Sequence, residues 1–152
     1  MAKFRLQPLL EYARDRSESA AQELQRLRHQ WSMAEEKLQQ LRAYLADYHQ
    51  KLNDNAAGGM TAAALRDFQR FIVKLELAIQ VQGEEVFRCR QRWEVGQQEW
   101  LEREREVKVY DALRERHERE ELRKESKRDQ RAQDEFAQNQ HRRLNSEDPQ
   151  QK

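Results

Sequence analysis

The feature that most constrains this chain is a heptad repeat of apolar residues that runs from Leu10 to Leu52. Its two series are Leu10, Ser17, Leu24, Trp31, Leu38, Leu45 and Leu52, and Ala13, Ala20, Leu27, Ala34, Leu41 and Tyr48. Ser17 is the one polar exception. A seam of this length predicts a helix in a left-handed coiled coil, because supercoiling keeps such a seam against a single partner.

A second seam of matching length follows in the same chain. Its two series are Leu65, Ile72, Ile79, Val86, Trp93, Trp100 and Val107, and Phe68, Leu75, Gln82, Cys89, Gly96, Arg103 and Tyr110. A helix-breaking cluster, residues 53–59, separates the two seams, and Thr61 after it suits a helix N-cap. Two long helices joined by a short loop fold back antiparallel. The predicted fold is therefore all-α, an antiparallel coiled-coil hairpin.

The extent of each seam predicts the domain organisation. We expect a single domain over residues 1–143, with helix 1 over about 8–53, a turn over 54–61 and helix 2 over about 62–141. Residues 144–152 are expected to form a disordered tail.

Helix 2 is predicted to be longer than its partner. Because helix 1 begins near residue 8, the pairing should end between Arg103 and Tyr110. Beyond that point helix 2 should overhang at its C-terminal end as a single polar helix. Acid–base pairs at helical spacing, such as Glu115 with Arg119, favour a helix there.

The position of the turn predicts which residues face each other. A turn centred near Ala56 and Ala57 gives layers that pair Ala20 with Trp93, Ala13 with Trp100, Trp31 with Gln82, Leu24 with Cys89, Ser17 with Gly96, and Leu38 with Leu75. The tryptophans then mostly meet alanine, as close packing of a seam requires. A slip by one heptad is the main alternative.

Composition and charge exclude several classes of function. Charged residues make up 38% of the 152 residues, so we expect no large globular core. The 29 basic and 28 acidic side chains are interleaved, which argues against binding of nucleic acid. Neither a membrane-spanning apolar run nor an apolar signal core is present, so we expect no insertion or export by that route. The lone Cys89 fits a reducing cytoplasm.

Residues with catalytic or metal-binding chemistry are scattered. The four histidines are His29, His49, His117 and His141, and none lies at a convincing ligand spacing from a cysteine or carboxylate. Cys89 falls on the seam, which predicts a buried, inert thiol. A two-helix hairpin also lacks a water-excluding cleft. We therefore predict no enzyme activity, no catalytic residue, no cofactor, no metal site and no small-molecule substrate.

Large apolar residues outside the seam are candidates for partner binding. Tyr44 and Phe71 should lie side by side near the turn, continued by Ala78, and either widen the seam or form a docking patch. Phe136 is a lone aromatic residue in the polar overhang, where it is either an anchor for a partner or an ordinary exposed side chain.

Several segments resemble those of a known family. They are residues 4–10, residues 34–41 with Tyr44 and Tyr48 after them, residues 71–79, and Asp134 to Ala137. In order, spacing and total length, over about residues 3–140, they resemble the bacterial flagellar export protein family FliJ.

The resemblance implies a soluble, non-enzymatic component of the flagellar type III protein export apparatus. Members of the family form an antiparallel hairpin similar to the central stalk of rotary ATPases. They are expected to insert into the ring of the export ATPase FliI and promote its assembly, to link it to the export gate protein FlhA, and to escort export chaperones. The implied location is the cytoplasm, peripheral to the inner membrane at the flagellar basal body, and the free protein is expected to be a monomer.

The resemblance also implies contact residues for the export gate. The matching positions are Leu41, Tyr44, Tyr48, Phe71, Leu75, Ala78 and Gln82. Four of them lie on the predicted seam, so Tyr44, Phe71 and Ala78 are the more direct candidates. A second candidate contact site in the overhang comprises Asp134, Glu135 and Phe136.

Two alternatives remain open at this point. The equivalent stalk of a virulence-type injectisome has the same architecture, although the N-terminal and tyrosine pattern favours the flagellar interpretation. A structural coiled-coil spacer would instead self-associate through its tryptophan-rich end, and it would bind no ATPase.

Overall fold

Two long α-helices make up the part of the chain described by the structure, a computed structural model that describes residues 2–147. Helix α1 spans Gln7–Ala57 and helix α2 spans Ala62–Ser146, and no strand occurs within residues 2–147. The predicted all-α fold of two packed helices is confirmed. The single domain over residues 1–143 stays a prediction.

Contacts within the chain form two units, which are described separately. The larger unit is Arg14–Glu104 and contains the turn. Its two helices run antiparallel: the Ser17 hydroxyl donates to the Glu104 carboxylate, whereas Tyr48, much nearer the turn, faces Phe68 with ring centroids 6.1 Å apart. The second unit combines residues up to 13 with those from 105 onwards.

The turn is shorter and lies later in the chain than predicted. Helix α1 continues through the polar residues 53–55 to Ala57, because only the glycines that follow force a change in backbone direction. Gly59 has a φ of +87°, a left-handed conformation that favours glycine. The N–H of Ala64 donates to the Thr61 hydroxyl at 3.2 Å, which confirms the predicted N-cap.

Because the turn is displaced, the predicted register is wrong. The observed register is the alternative, which differs from it by one heptad. Ser17 bonds Glu104 rather than facing Gly96, and Gly96 lies instead against Leu24 and Leu27. The helices are therefore paired one heptad away from the predicted alignment. The physical reason is that the extra turn of α1, which ends at Ala57, moves the point of reversal along the chain.

The seam residues themselves are where the heptad pattern places them. Every seam position of α1 from Leu10 to Leu52 is buried or half-buried, and Leu10 is fully buried. On α2 the buried seam positions of the larger unit include Ile72, Leu75 and Cys89. Burial of this apolar stripe is the main favourable contribution to the pairing, at roughly 25 cal/mol per Å² of apolar surface.

A tryptophan pair replaces the predicted contact of Trp93 with Ala20. The rings of Trp31 and Trp93 lie 5.3 Å apart at a tilted angle, and the guanidinium of Arg28 lies 4.2 Å from the centre of the Trp31 ring. Both tryptophans are half-buried within this one chain. They are therefore occupied by contacts inside the larger unit, which weakens the spacer hypothesis, since that hypothesis needs them exposed.

In the second unit, residues ahead of α1 extend the packing along α2. The ring of Phe4 lies 5.6 Å from that of His117, and His117 Nε2 lies 3.0 Å from the carbonyl oxygen of Ala2. The seam remains covered as far as Glu121, which is 9% exposed. The prediction that pairing ends between Arg103 and Tyr110 is wrong, because the non-helical lead also covers α2.

Beyond Glu121, α2 continues as the predicted overhang, and every residue from 122 to 147 is exposed. The helix ends at Ser146 instead of near residue 141, so residues 144–146 of the predicted tail are helical. Residues 148–152 lie outside the described residues. Neither helix, as far as it is described, contains an apolar stretch of the length and hydropathy needed to cross a membrane.

The two glycines within α2 give a matched test of the observed register. A Cβ at Gly96 would lie 2.7 Å from Leu27 Cδ1, whereas a Cβ at Gly83 has no such neighbour within 4 Å. Gly83→Ala should raise the free energy of unfolding by about 0.5–1 kcal/mol, the usual gain from replacing a helical glycine. Gly96→Ala should gain less than this or lose stability, because Leu27 must move.

Thermal and denaturant unfolding followed by circular dichroism measure both changes. Equal stabilisation by the two substitutions would contradict the close approach of the helices at Gly96.

Candidate functional site

The residues implied to contact the export gate all lie in the larger unit, and burial separates them into three groups. Leu75 and Gln82 are buried, with 9% and 8% of their surface exposed. Tyr44 and Phe71 are 57% and 40% exposed. Leu41, Tyr48 and Ala78 are half-buried. A partner can therefore contact Tyr44 and Phe71 directly, whereas the side chains of Leu75 and Gln82 are buried within the hairpin.

An aromatic cluster forms where the two helices approach the turn. The ring of Phe71 packs on Tyr48 with centroids 4.3 Å apart, and Phe68 contacts Tyr48 from the same helix as Phe71. The ammonium of Lys51 lies 5.4 Å from the Tyr48 ring centre. Tyr48 therefore has contacts from both helices, which fix its ring. Phe71 packs on this ring and remains partly exposed.

The expectation that Tyr44 and Phe71 lie side by side is wrong. The heptad shift moves Phe71 towards the turn relative to α1, so its ring meets Tyr48 and not Tyr44. Tyr44 lies one helical turn before Tyr48 and remains the more exposed of the two. The candidate face is therefore a longer strip that contains Tyr44, Tyr48 and Phe71.

Gln82 has a role inside the hairpin. Its side-chain Nε2 donates to the backbone carbonyl of Ala34 at 3.0 Å, across the helix pair. A buried amide that lacked this bond would carry the cost of desolvation, so the contact favours the observed alignment. Substitution of Gln82 is expected to act through the pairing of the helices, as the seam pattern already indicated.

Cys89 lies on the buried seam, as predicted. Its thiol donates to Glu85 Oε1 at 3.5 Å. Burial, followed by the neighbouring carboxylate, raises the pKa of the Cys89 thiol above its ordinary value. Hydrogen bonds from Arg88 and then Cys89 lower the pKa of Glu85. This environment disfavours the reactive thiolate form of Cys89.

Metal-ligating side chains are not gathered into a site in the part of the chain that the structure covers. Between residues 2 and 147, no group of three or more His, Cys, Asp or Glu side chains could hold a metal ion.

The second candidate contact site lies on the overhang. Asp134, Glu135 and Phe136 are all exposed on α2, and Phe136 is 68% exposed. No part of the chain between residues 2 and 147 covers this segment. The structure therefore leaves Phe136 accessible.

A row of exposed aliphatic residues was missed in the sequence analysis. Val73, Leu77 and Val81 are 62%, 60% and 54% exposed on the outer side of α2. They follow each other at intervals of four residues, which places them along one face of the helix. This spacing outside the seam is a signal that the sequence already contained.

Comparisons with known proteins agree with this architecture. Residues 1–146 match the family model described as Flagellar FliJ protein. The Flagellar FliJ protein of Escherichia coli is 31% identical over 133 residues, which cover 88% of this chain and 90% of that protein. The Flagellar FliJ protein of Salmonella typhi is 29% identical, with the same shares covered.

A solved structure shares the fold at low sequence identity. A proposed YscO homologue from Chlamydia trachomatis superposes with a TM-score of 0.65 and 20% identity, covering 97% of this chain and 99% of that one. At this identity the likeness concerns the fold alone. The family match over almost the whole chain, with the two relatives at about 30% identity, has the stronger weight. By these comparisons the chain belongs to the Flagellar FliJ protein family.

Proposed function

We propose that this chain is the non-enzymatic stalk of the flagellar type III protein export apparatus. In this role it binds the export ATPase FliI and promotes assembly of its ring, links the ring to the export gate protein FlhA, and escorts export chaperones. It acts in the cytoplasm, peripheral to the inner membrane at the flagellar basal body, and it is a monomer when free.

The observation that carries this proposal is the exposed strip Tyr44–Tyr48–Phe71 on a two-helix hairpin of the FliJ family. Aromatic side chains held on a rigid support lose little conformational entropy when a partner covers them, so they are favoured as binding hot spots. The gate protein is the partner that the family resemblance assigns to this strip.

The overhang supports a second contact. Beyond Glu121 the single helix has no covering partner in the described part of the chain. A local ion pair such as that of Lys124 with Glu121, at 3.7 Å, contributes only a few tenths of a kcal/mol. Docking into a ring would supply the packing that this helix lacks. Phe136, 68% exposed, is the aromatic side chain that the overhang offers as an anchor.

The fold shared with the YscO homologue makes an injectisome stalk the second candidate. The identities of about 30% to flagellar proteins favour the flagellar system over it. The two candidates differ in which ATPase the chain should activate.

The first prediction concerns the ATPase. Added to the cognate flagellar export ATPase, the full chain should raise ATP hydrolysis and shift the enzyme from small species to hexamers, because a central stalk stabilises a closed ring. Steady-state phosphate release and analytical ultracentrifugation measure the two effects. Phe136→Ala should weaken both effects while the circular dichroism of the chain stays helical.

An export ATPase from an injectisome serves as the control for specificity. If neither enzyme responds to a folded chain, the stalk proposal is wrong. A response of the injectisome enzyme alone would select the second candidate.

The second prediction concerns the gate. Tyr44→Ala combined with Phe71→Ala should weaken binding to FlhA by at least about tenfold, because two exposed aromatic contacts are removed. The matched control removes the same side-chain types elsewhere, by Tyr12→Ala with Phe87→Ala, where both residues are 59% exposed. Isothermal titration calorimetry measures affinity, and thermal unfolding monitors the hairpin.

Leu75→Ala provides the contrast. This buried seam residue should lower the free energy of unfolding by about 2–5 kcal/mol, since it leaves a cavity between the helices. Equal losses of affinity in the Tyr44/Phe71 variant and its matched control would remove the gate role from this strip.

A further inference from the structure

The outer face of α2 carries an apolar row that neither the hairpin nor the proposed gate contact uses. Val73, Leu77 and Val81 are each more than half exposed, and they point away from the seam. Beside Val73, a shallow groove is lined by the side chains of Arg66, Gln69, Arg70 and Lys74. An aliphatic row of this kind on a highly charged helix is a candidate contact surface.

The row has a two-fold arrangement in the sequence. Leu77 lies four residues from each valine, and it lies seven residues from Arg70 on one side and from Glu84 on the other. Seven residues are close to two helical turns, so Arg70, Leu77 and Glu84 share one face. Two copies of α2 crossing antiparallel at Leu77 would therefore place Val73 opposite Val81 and Arg70 opposite Glu84.

The charges at this face are available for such pairing. Arg70, Lys74 and Glu84 form no ion pair with any residue between 2 and 147. By contrast, the adjacent Glu85 is engaged by Arg88, with an N–O distance of 2.9 Å. The unpaired acidic and basic groups stand on opposite sides of Leu77, so the face is complementary to itself.

From this arrangement we infer that the outer face of α2 is a self-association site, which takes a second copy of this chain in an antiparallel, two-fold symmetric contact centred on Leu77. In that contact Val81 of each copy fills the groove beside Val73 of the other. Glu84 of each copy then pairs with Arg70 of the other. A foreign helix would have to match both charges in order, whereas a second copy already does.

The small size of this contact implies a low affinity between the two copies. Three aliphatic side chains form a patch well below the roughly 1,200–2,000 Å² of total buried area found in stable interfaces. Further out, Arg66 faces Arg88, whose charge is already compensated by Glu85, so the complementary region ends there. The chain is consequently monomeric when dilute and dimerises at high local concentration. This site lies outside the strip proposed for the gate, so it does not rest on that proposal.

Disulfide trapping tests the geometry. In a Cys89→Ser background of the full chain, Leu77→Cys should crosslink with itself at least about tenfold faster than Val95→Cys. Val95 is a suitable control because it is an exposed valine of the same helix, 68% accessible. Val73→Cys should crosslink with Val81→Cys when the two variants are mixed, and faster than either variant alone.

Equal rates at Leu77→Cys and Val95→Cys would indicate random collision and overturn the proposal. Faster crosslinking of Val73→Cys with itself than with Val81→Cys would overturn the antiparallel arrangement.

A charge exchange tests the same contact without cysteines. Arg70→Glu should raise the dimer dissociation constant by about tenfold, because each Glu84 then faces a like charge. Adding Glu84→Arg restores opposite charges and should return the constant to within about twofold of the original. Sedimentation equilibrium up to about 1 mM chain measures association, and circular dichroism confirms that the helices are retained. If the single substitution has no effect, or if the exchange does not rescue it, the proposed pairing is wrong.

Discussion

Each helix of this protein has one narrow apolar stripe, and the rest of the structure depends on covering it. Polar and charged side chains occupy most of the remaining surface, so neither helix could be stable alone over its full length in water. Packing against the other helix is the solution that the short connection between them allows. The position of the reversal at Gly58 and Gly59 then decides which residues of the two stripes meet.

Details of the seam follow from that alignment. Gly96 allows Leu24 and Leu27 to approach the backbone of α2. Trp31 packs against Trp93 in the same part of the seam. The side-chain amide of Gln82 donates a hydrogen bond to a backbone carbonyl of the opposite helix. These contacts belong to one register, since a shift by a heptad would place Leu24 and Leu27 against residues of α2 that carry side chains instead of against Gly96.

The surfaces proposed for partner binding consist mainly of residues outside this apolar stripe. Within the aromatic strip, Phe71 packs on Tyr48 of the other helix, whereas the outer row centred on Leu77 lies on α2 alone. The first is thus a rigid aromatic surface suited to a specific partner protein. The second is a small aliphatic surface suited to weak, symmetric contact, and Phe136 on the single helix offers a third, isolated anchor.

The amino-acid sequence by itself determined the two helices, their antiparallel pairing, the N-cap at Thr61 and the exposure of Tyr44, because heptad spacing and capping chemistry are local properties. The tertiary structure decided the register, since alignments one heptad apart bury similarly apolar seams and differ in the position of the turn and in the contacts around Gly96, Gln82 and the tryptophans. It also decided that Phe71 meets Tyr48, and that the lead before α1 covers α2 as far as Glu121. Such contacts join residues far apart in the chain, and a local sequence pattern does not specify which distant residues meet.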